Sequence, residues 1–217
     1  MYKKKLWAIA AVLLAAVIAT GVAAWLSDGD TATNAITTGK VDIRLLQTAW
    51  VGGQGRDVKP NTVLTKDPHI QNVGLNDAYV FIQVDMAALP EGTLVHSGTS
   101  TARAGSGTPL FTTQTGSGLA FDNANWTLTA HALTNGRITQ VYAYAKNNVM
   151  TPLTRGQTTT PVFEKVRLAN VTDISQLRSV NPNIVVTAYA IQTTELDGGV
   201  TAPLEVWNIV TNYQASR

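Results

Sequence analysis

The sequence predicts an all-β chain, a jelly-roll-like β-sandwich with a few short helices and an N-terminal signal or transmembrane helix. Three observations predict it. Short segments alternate apolar and polar residues, turn residues punctuate them at frequent intervals, and long amphipathic helical patterns are scarce after the first 26 residues. Strands rich in Val, Ile, Thr and Tyr and separated by Gly, Asn and Pro pack as two layers, because each can bury only one face by itself.

The elements follow in chain order. Lys3 to Lys5 precede Leu6–Leu26, a run of 21 residues without a charge. A basic segment, an apolar segment and a small-residue end make a secretory signal. Val22-Ala23-Ala24 places cleavage between Ala24 and Trp25, with Gly21-Val22-Ala23 as the rival site. The run is also long enough to span a bilayer with Lys3–Lys5 inside, so a retained anchor is the alternative. The organisation expected is residues 1–24 as signal peptide or anchor, 25–43 as a free N-terminal segment, and 37–217 as the sandwich domain.

Strands are expected at Val41–Leu45, Ala78–Met86, Trp126–Ala130, Ile138–Tyr144, Pro161–Leu168 and Ile184–Gln192. In the second, Ala78, Val80, Ile82, Val84 and Met86 share a face; in the fourth, Ile138, Tyr142 and Tyr144 do. The last is apolar on nearly both faces, as a central strand between layers would be. Turns are expected at Val51-Gly52-Gly53, Lys59-Pro60-Asn61, Asn72-Val73-Gly74, Asn135-Gly136, Asn181-Pro182-Asn183 and Asp197-Gly198-Gly199. The Gly/Ser/Thr-rich stretch 97–118 reads as a long mobile loop or an inserted flap. A helix is expected over Ala202–Ala215, burying Leu204, Trp207 and Val210 or Ile209.

Composition narrows the function. The precursor carries 16 Lys and Arg against 14 Asp and Glu. Three lysines lie in the leader, leaving 13 against 14, a net charge of −1 for the mature chain. That balance gives no basic field for nucleic acid. With 0 cysteines, no disulfide staples the domain and a structural zinc site has no thiolate ligands.

Catalytic and metal patterns are missing too. His69, His96 and His131 are scattered, none in H-E-x-x-H, and read as surface or loop residues. There is no G-x-S-x-G elbow and no phosphate loop. Asp28-Gly29-Asp30 begins like a calcium loop but lacks the closing Glu. Asn125-Trp126-Thr127 and Asn170-Val171-Thr172 match the glycosylation pattern. Tyr142, Tyr144, Tyr189 and Trp207 are expected to pack between layers. The expectation is a non-enzyme with no cofactor and no metal.

An ordered set of motifs carries a resemblance. It runs from Ala23-Ala24-Trp25-Leu26-Ser27-Asp28 through Thr31-Ala32-Thr33-Asn34, Ile36–Ile43, Val58-Lys59-Pro60, Leu64–Gly74 and Asp77–Phe81. It continues with Tyr142-Ala143-Tyr144, Pro152–Thr159, Ala188–Gln192 and Trp207. In this order the chain resembles the TasA/camelysin family of exported biofilm-fibre proteins, whose leaders are removed by a SipW-type signal peptidase. The resemblance implies a secreted or cell-surface subunit that polymerises head to tail by donor-strand exchange into matrix fibres or pili. The leader itself implies transient membrane contact, and the charge balance no nucleic-acid partner. The donor would be Trp25–Ile43, with Trp25, Leu26, Ala32, Ala35 and Ile36 as anchors, and Val41 and Ile43 continuing into the subunit's own sheet. Stretch 97–118 has no counterpart in this pattern. The alternatives are a camelysin-like cell-surface metalloprotease and a membrane-anchored adhesion domain that never polymerises.

Overall fold

A computed structural model of the chain describes residues 32–35, 41–50, 58–178, 180–194 and 196–215. Its described strands are β1 (Ala32–Ala35), β2 (Ile43–Leu46), β3 (Val63–Thr65), β4 (His69–Asn72), β5 (Ala78–Ala87), β6 (Leu94–Ser97), β7 (Ser100–Arg103), β8 (Phe111–Gln114), β9 (Trp126–Thr134), β10 (Arg137–Lys146), β11 (Val149–Met150), β12 (Lys165–Leu168) and β13 (Val185–Gln192). The described α-helix, α1, is Pro203–Ala215. The fold is all-β and sandwich-like, with the strands in several largely antiparallel sheets.

The main sheet has six strands in the order β1-β13-β5-β10-β11, with β9 also paired to β10. Smaller sheets, β3-β12-β8, β2-β4 and β6-β7, make the rest. The main sheet is apolar on both faces because its strands are. Val80, Ile82, Val84 and Met86 of β5, Ile138 and Tyr142 of β10, and Val186 and Ala188 of β13 enter a large core with β2, β4, β8 and β12. The alternate residues Tyr79, Phe81, Val141, Ala143 and Ile191 meet Val206, Trp207 and Val210 of α1 in a second core. Both expected faces, the even positions of β5 and the Ile138/Tyr142/Tyr144 set, lie on the large-core side.

Several expectations change. The most deeply buried strand is β5, whose residues are buried at eight of ten positions, while β13 alternates buried and half-buried. The reason is order in the sheet: β5 lies between β13 and β10, whereas β13 has only the short β1 outside it. Stretch 97–118 is no loose flap. It completes the β6-β7 hairpin and supplies β8, since Leu110 and Phe111, its large apolar residues, are buried in the main core. The Pro161–Leu168 strand shortens to β12; Val162 and Phe163 before it are buried without ladder pairing. In α1, Leu204 is exposed at 54%, and Val206 takes its place beside Trp207 and Val210.

Turn chemistry fixes two hairpins. Asn135 and Gly136 join β9 to β10 with φ of 51° and 71°, and Asn147 and Asn148 join β10 to β11 with φ of 52° and 60°. Positive φ at both central residues is the type I′ requirement, which matches strand twist, and Asn and Gly meet it at least cost.

Candidate functional site

The margin of the main sheet beside β13 is where β1, Ala32–Ala35, lies. β13 pairs antiparallel with β5 along its whole length, from Val185↔Asp85 to Gln192↔Ala78. On its other side β1 runs parallel to it, from Ala32↔Val186 to Ala35↔Tyr189. β1 covers four of the eight residues of β13. A parallel neighbour in an otherwise antiparallel sheet needs a distant piece of chain, since a tight hairpin cannot supply one. Here the two strands come from opposite ends of the sequence.

Beneath this margin the sheet is rigidly built. Trp207 packs against Phe81 at 5.2 Å and edge-on to Tyr189 at 5.1 Å between ring centroids. The Tyr189 hydroxyl donates to Gln83 Oε1 at 3.4 Å. Burial, and then the nearby Asp85 carboxylate, push the Tyr189 phenol above its ordinary value. Asp85 is itself held by the Thr139 hydroxyl and by Gln83 Nε2 at 2.8 Å. Arg137 spans to the start of β13, donating to the carbonyls of Asp85 at 2.9 Å and Asn183 at 3.0 Å.

A second cluster explains the motif Lys66-Asp67-Pro68-His69-Ile70-Gln71-Asn72-Val73-Gly74. Lys66, 1% exposed, donates from Nζ to Gln47 Oε1 at 2.7 Å and lies 4.7 Å from the Trp50 ring centroid. Asp67 accepts from the Ala49 N–H and the Thr48 hydroxyl, both at 2.7 Å, and so secures the turn after β2. Asn72, 0% exposed, donates to the carbonyls of Asn76 and Leu153 and accepts from the Gly74 N–H at 2.9 Å. These polar groups are buried and satisfied, which is the condition for keeping them there. His69 is not a surface residue: it opens β4, is 9% exposed, and its Nδ1 lies 2.6 Å from the Asp67 carbonyl oxygen. Sequence reasoning had the motif but not its role, because an alternating strand signal does not announce a buried lysine.

The predicted site residues divide. Ala24, Trp25, Leu26 and Ile36 lie outside the described residues, as do Asp28, Asp30 and the apolar run 6–26. Ala32 and Ala35 stand at the two ends of β1. Val41 and Ile43 are buried at 2% and 4% in the chain's own large core, Ile43 opening β2 opposite Asn72. Among the described residues no helix is long and apolar enough to cross a membrane. His96 and His131 are exposed on β6 and β9. The amide of Asn125, in one glycosylation pattern, is engaged by Asp122 Oδ2 at 2.9 Å.

The class defined here is an all-β sandwich with the short strand β1, Ala32–Ala35, paired at the margin of its main sheet. Over residues 1–88 the chain matches the family model of the camelysin metallo-endopeptidases. The TasA/camelysin likeness is shown over that span, which runs from the leader through β5; the later motifs of the resemblance lie beyond it. Neither the curated proteins nor the solved structures give a match to the chain. A metallo-endopeptidase needs a metal site. Among the described residues no three His, Asp or Glu side chains come together to hold one, and His69 and Asp67, 3.8 Å apart, make only a pair. The described residues therefore do not fit that group.

Proposed function

We propose that this chain is a secreted structural subunit that polymerises by donor-strand exchange into extracellular fibres or pili at the cell surface. A SipW-type peptidase would cut near Ala24-Trp25 and free the segment that follows. The observation that carries the reading is β1: four residues laid parallel along β13 and contributed by the chain before Val41, the first buried residue described. A strand paired through its main chain at a sheet margin can be replaced by the same strand of a neighbour, since those hydrogen bonds are identical in the two cases. Such a contact is head to tail and does not close, so it propagates as a filament. Trp25, Leu26, Ala32, Ala35 and Ile36 are its proposed anchors, while Val41 and Ile43 hold the donor to its own domain.

The test removes residues 25–36 from the mature chain and images the product by electron microscopy. Loss of filaments with retained folded-domain circular dichroism is expected; filaments of normal length and abundance would sink the proposal. The family description favours a second reading, a cell-surface protease. Casein cleavage by purified protein, abolished by a chelator and restored by metal, would establish it.

A further inference from the structure

The opposite margin of the main sheet carries a separate signal. β9 is nine residues long, pairs with β10 on one side, and has no described strand on the other. It holds no Asp, Glu, Lys, Arg or Pro, the residues that usually blunt an exposed edge. Its pairing with β10 jumps from Val141↔Ala130 to Tyr142↔Leu128, which leaves Thr129 as a bulge. With Thr129 set aside, the strand reads Thr127-Leu128-Ala130-His131-Ala132-Leu133-Thr134, the same in both directions.

The bulge also sets which way the side chains face. Leu128, His131 and Leu133 stand opposite Tyr142, Gln140 and Ile138, so all three project from the large-core face of the sheet. Without the extra residue, Leu128 and Leu133 would fall on opposite faces, because side chains alternate along a strand. The two leucines are exposed to nearly the same degree, 41% and 42%.

We propose that the β9 edge that no described strand covers binds the same edge of a second copy of this chain, antiparallel, across a two-fold axis at His131. The self-reading order then places His131 against His131, Ala130 against Ala132, Leu128 against Leu133 and Thr127 against Thr134, each pair on one face. Each bulge meets the uninterrupted Ala132-Leu133 of the other copy. Like faces like, because the edge carries no Asp, Glu, Lys or Arg. The contact is isologous and closes at two chains. It does not rest on the fibre reading; if that reading holds, this contact ties two filaments side by side.

The absence of cysteine makes the test clean. Residues directly opposed in an antiparallel pair lie roughly 4.5–5.5 Å apart at Cα, within disulfide reach. His131→Cys, oxidised with diamide and run on a denaturing non-reducing gel, should give a covalent dimer. It should form at least about tenfold faster than with Leu75→Cys, an exposed control outside the strand, because only residues held in reach cross-link readily. Equal rates for the two, or a thiol at position 131 that stays free, would overturn the proposal. In the same assay L128E and L133K should each lose most of the dimer, and L128E/L133K, which faces carboxylate with ammonium twice across the axis, should regain it. Unchanged cross-linking in L128E, or no recovery in the double variant, would also overturn it. Because each variant has one thiol, the gel reports this contact whether or not filaments form.

Discussion

The main sheet ends in two ways, and the contrast separates what is built into the domain from what is laid upon it. At one margin, β9 is anchored by Trp126, 1% exposed, whose ring meets Tyr144 edge-on at 5.2 Å and whose Nε1–H donates to the Thr160 carbonyl at 3.0 Å. Asp122 fixes its approach by accepting from Asn125 and from the Thr160 hydroxyl at 2.7 Å. At the other margin, β1 joins by four parallel residue pairs. A margin with a buried aromatic anchor cannot leave without opening the core. A margin strand that pairs through its main chain is the kind the proposed exchange requires.

The largest effect should come from the anchored side. Trp126→Ala is expected to cost about 3–5 kcal/mol, from lost burial and the cavity left behind. Urea unfolding checks it, and a loss below about 1 kcal/mol, on the scale of a surface substitution, would break the contrast.

Tyr142, opposite Leu128 of β9, comes next. Burial pushes its phenol up to about 12, and its hydroxyl donates to Gln140 Oε1 at 3.1 Å. The neutral form is favoured in the fold, so this contribution is complete below the ordinary tyrosine value near 10 and is lost as pH rises from there to about 12. The full contribution is roughly 2–3 kcal/mol for a shift of that size. Stability measured from pH 9 to 12 should fall less steeply in Tyr142→Phe than in the parent chain. Parallel slopes would remove Tyr142 as the cause.

A third change lies at neither margin. Asp67→Ala removes the carboxylate that accepts from the Ala49 N–H and the Thr48 hydroxyl and should cost about 1–3 kcal/mol. Faster hydrogen exchange at Ala49, without change in β9, would show that its effect stays local. The smallest effect belongs to β1. Removing residues 25–36 should lower domain stability by less than about 1 kcal/mol if β1 is a terminal margin strand that can leave without opening the core. A cost equal to that of Trp126→Ala would make β1 part of the core and erase the difference between the two sides.

How much was legible in the sequence varies with the range of the interaction. The strands β5, β10 and β13 and their turns were legible, because alternation and the Asn135-Gly136 signal are local. The helix was legible in extent but not in facing: Leu204 and Val206 are equally apolar, and only the position of Phe81 and Tyr189 under Trp207 selects between them. Stretch 97–118 was misread because its composition is that of a loop, while Leu110 and Phe111 tie its later part to β12 and the core. The burial of Lys66 was hidden for the same reason, since Gln47 becomes its partner only when β2 and β4 meet.

The sequence by itself determined the all-β class, the apolar leader-like run, the lack of disulfides and the Leu64–Gly74 motif within the span that matches the camelysin family. These depend on composition, period and short spacing. Tertiary structure decided which strands form the two margins of the main sheet, and that β1 lies parallel on β13. It also decided that Thr129 bulges, so that the order around His131 reads alike in both directions. Strand order and register are set by long-range pairing and by how two cores fill. No local pattern encodes them, because the same alternation fits a central strand, an edge and either direction of pairing.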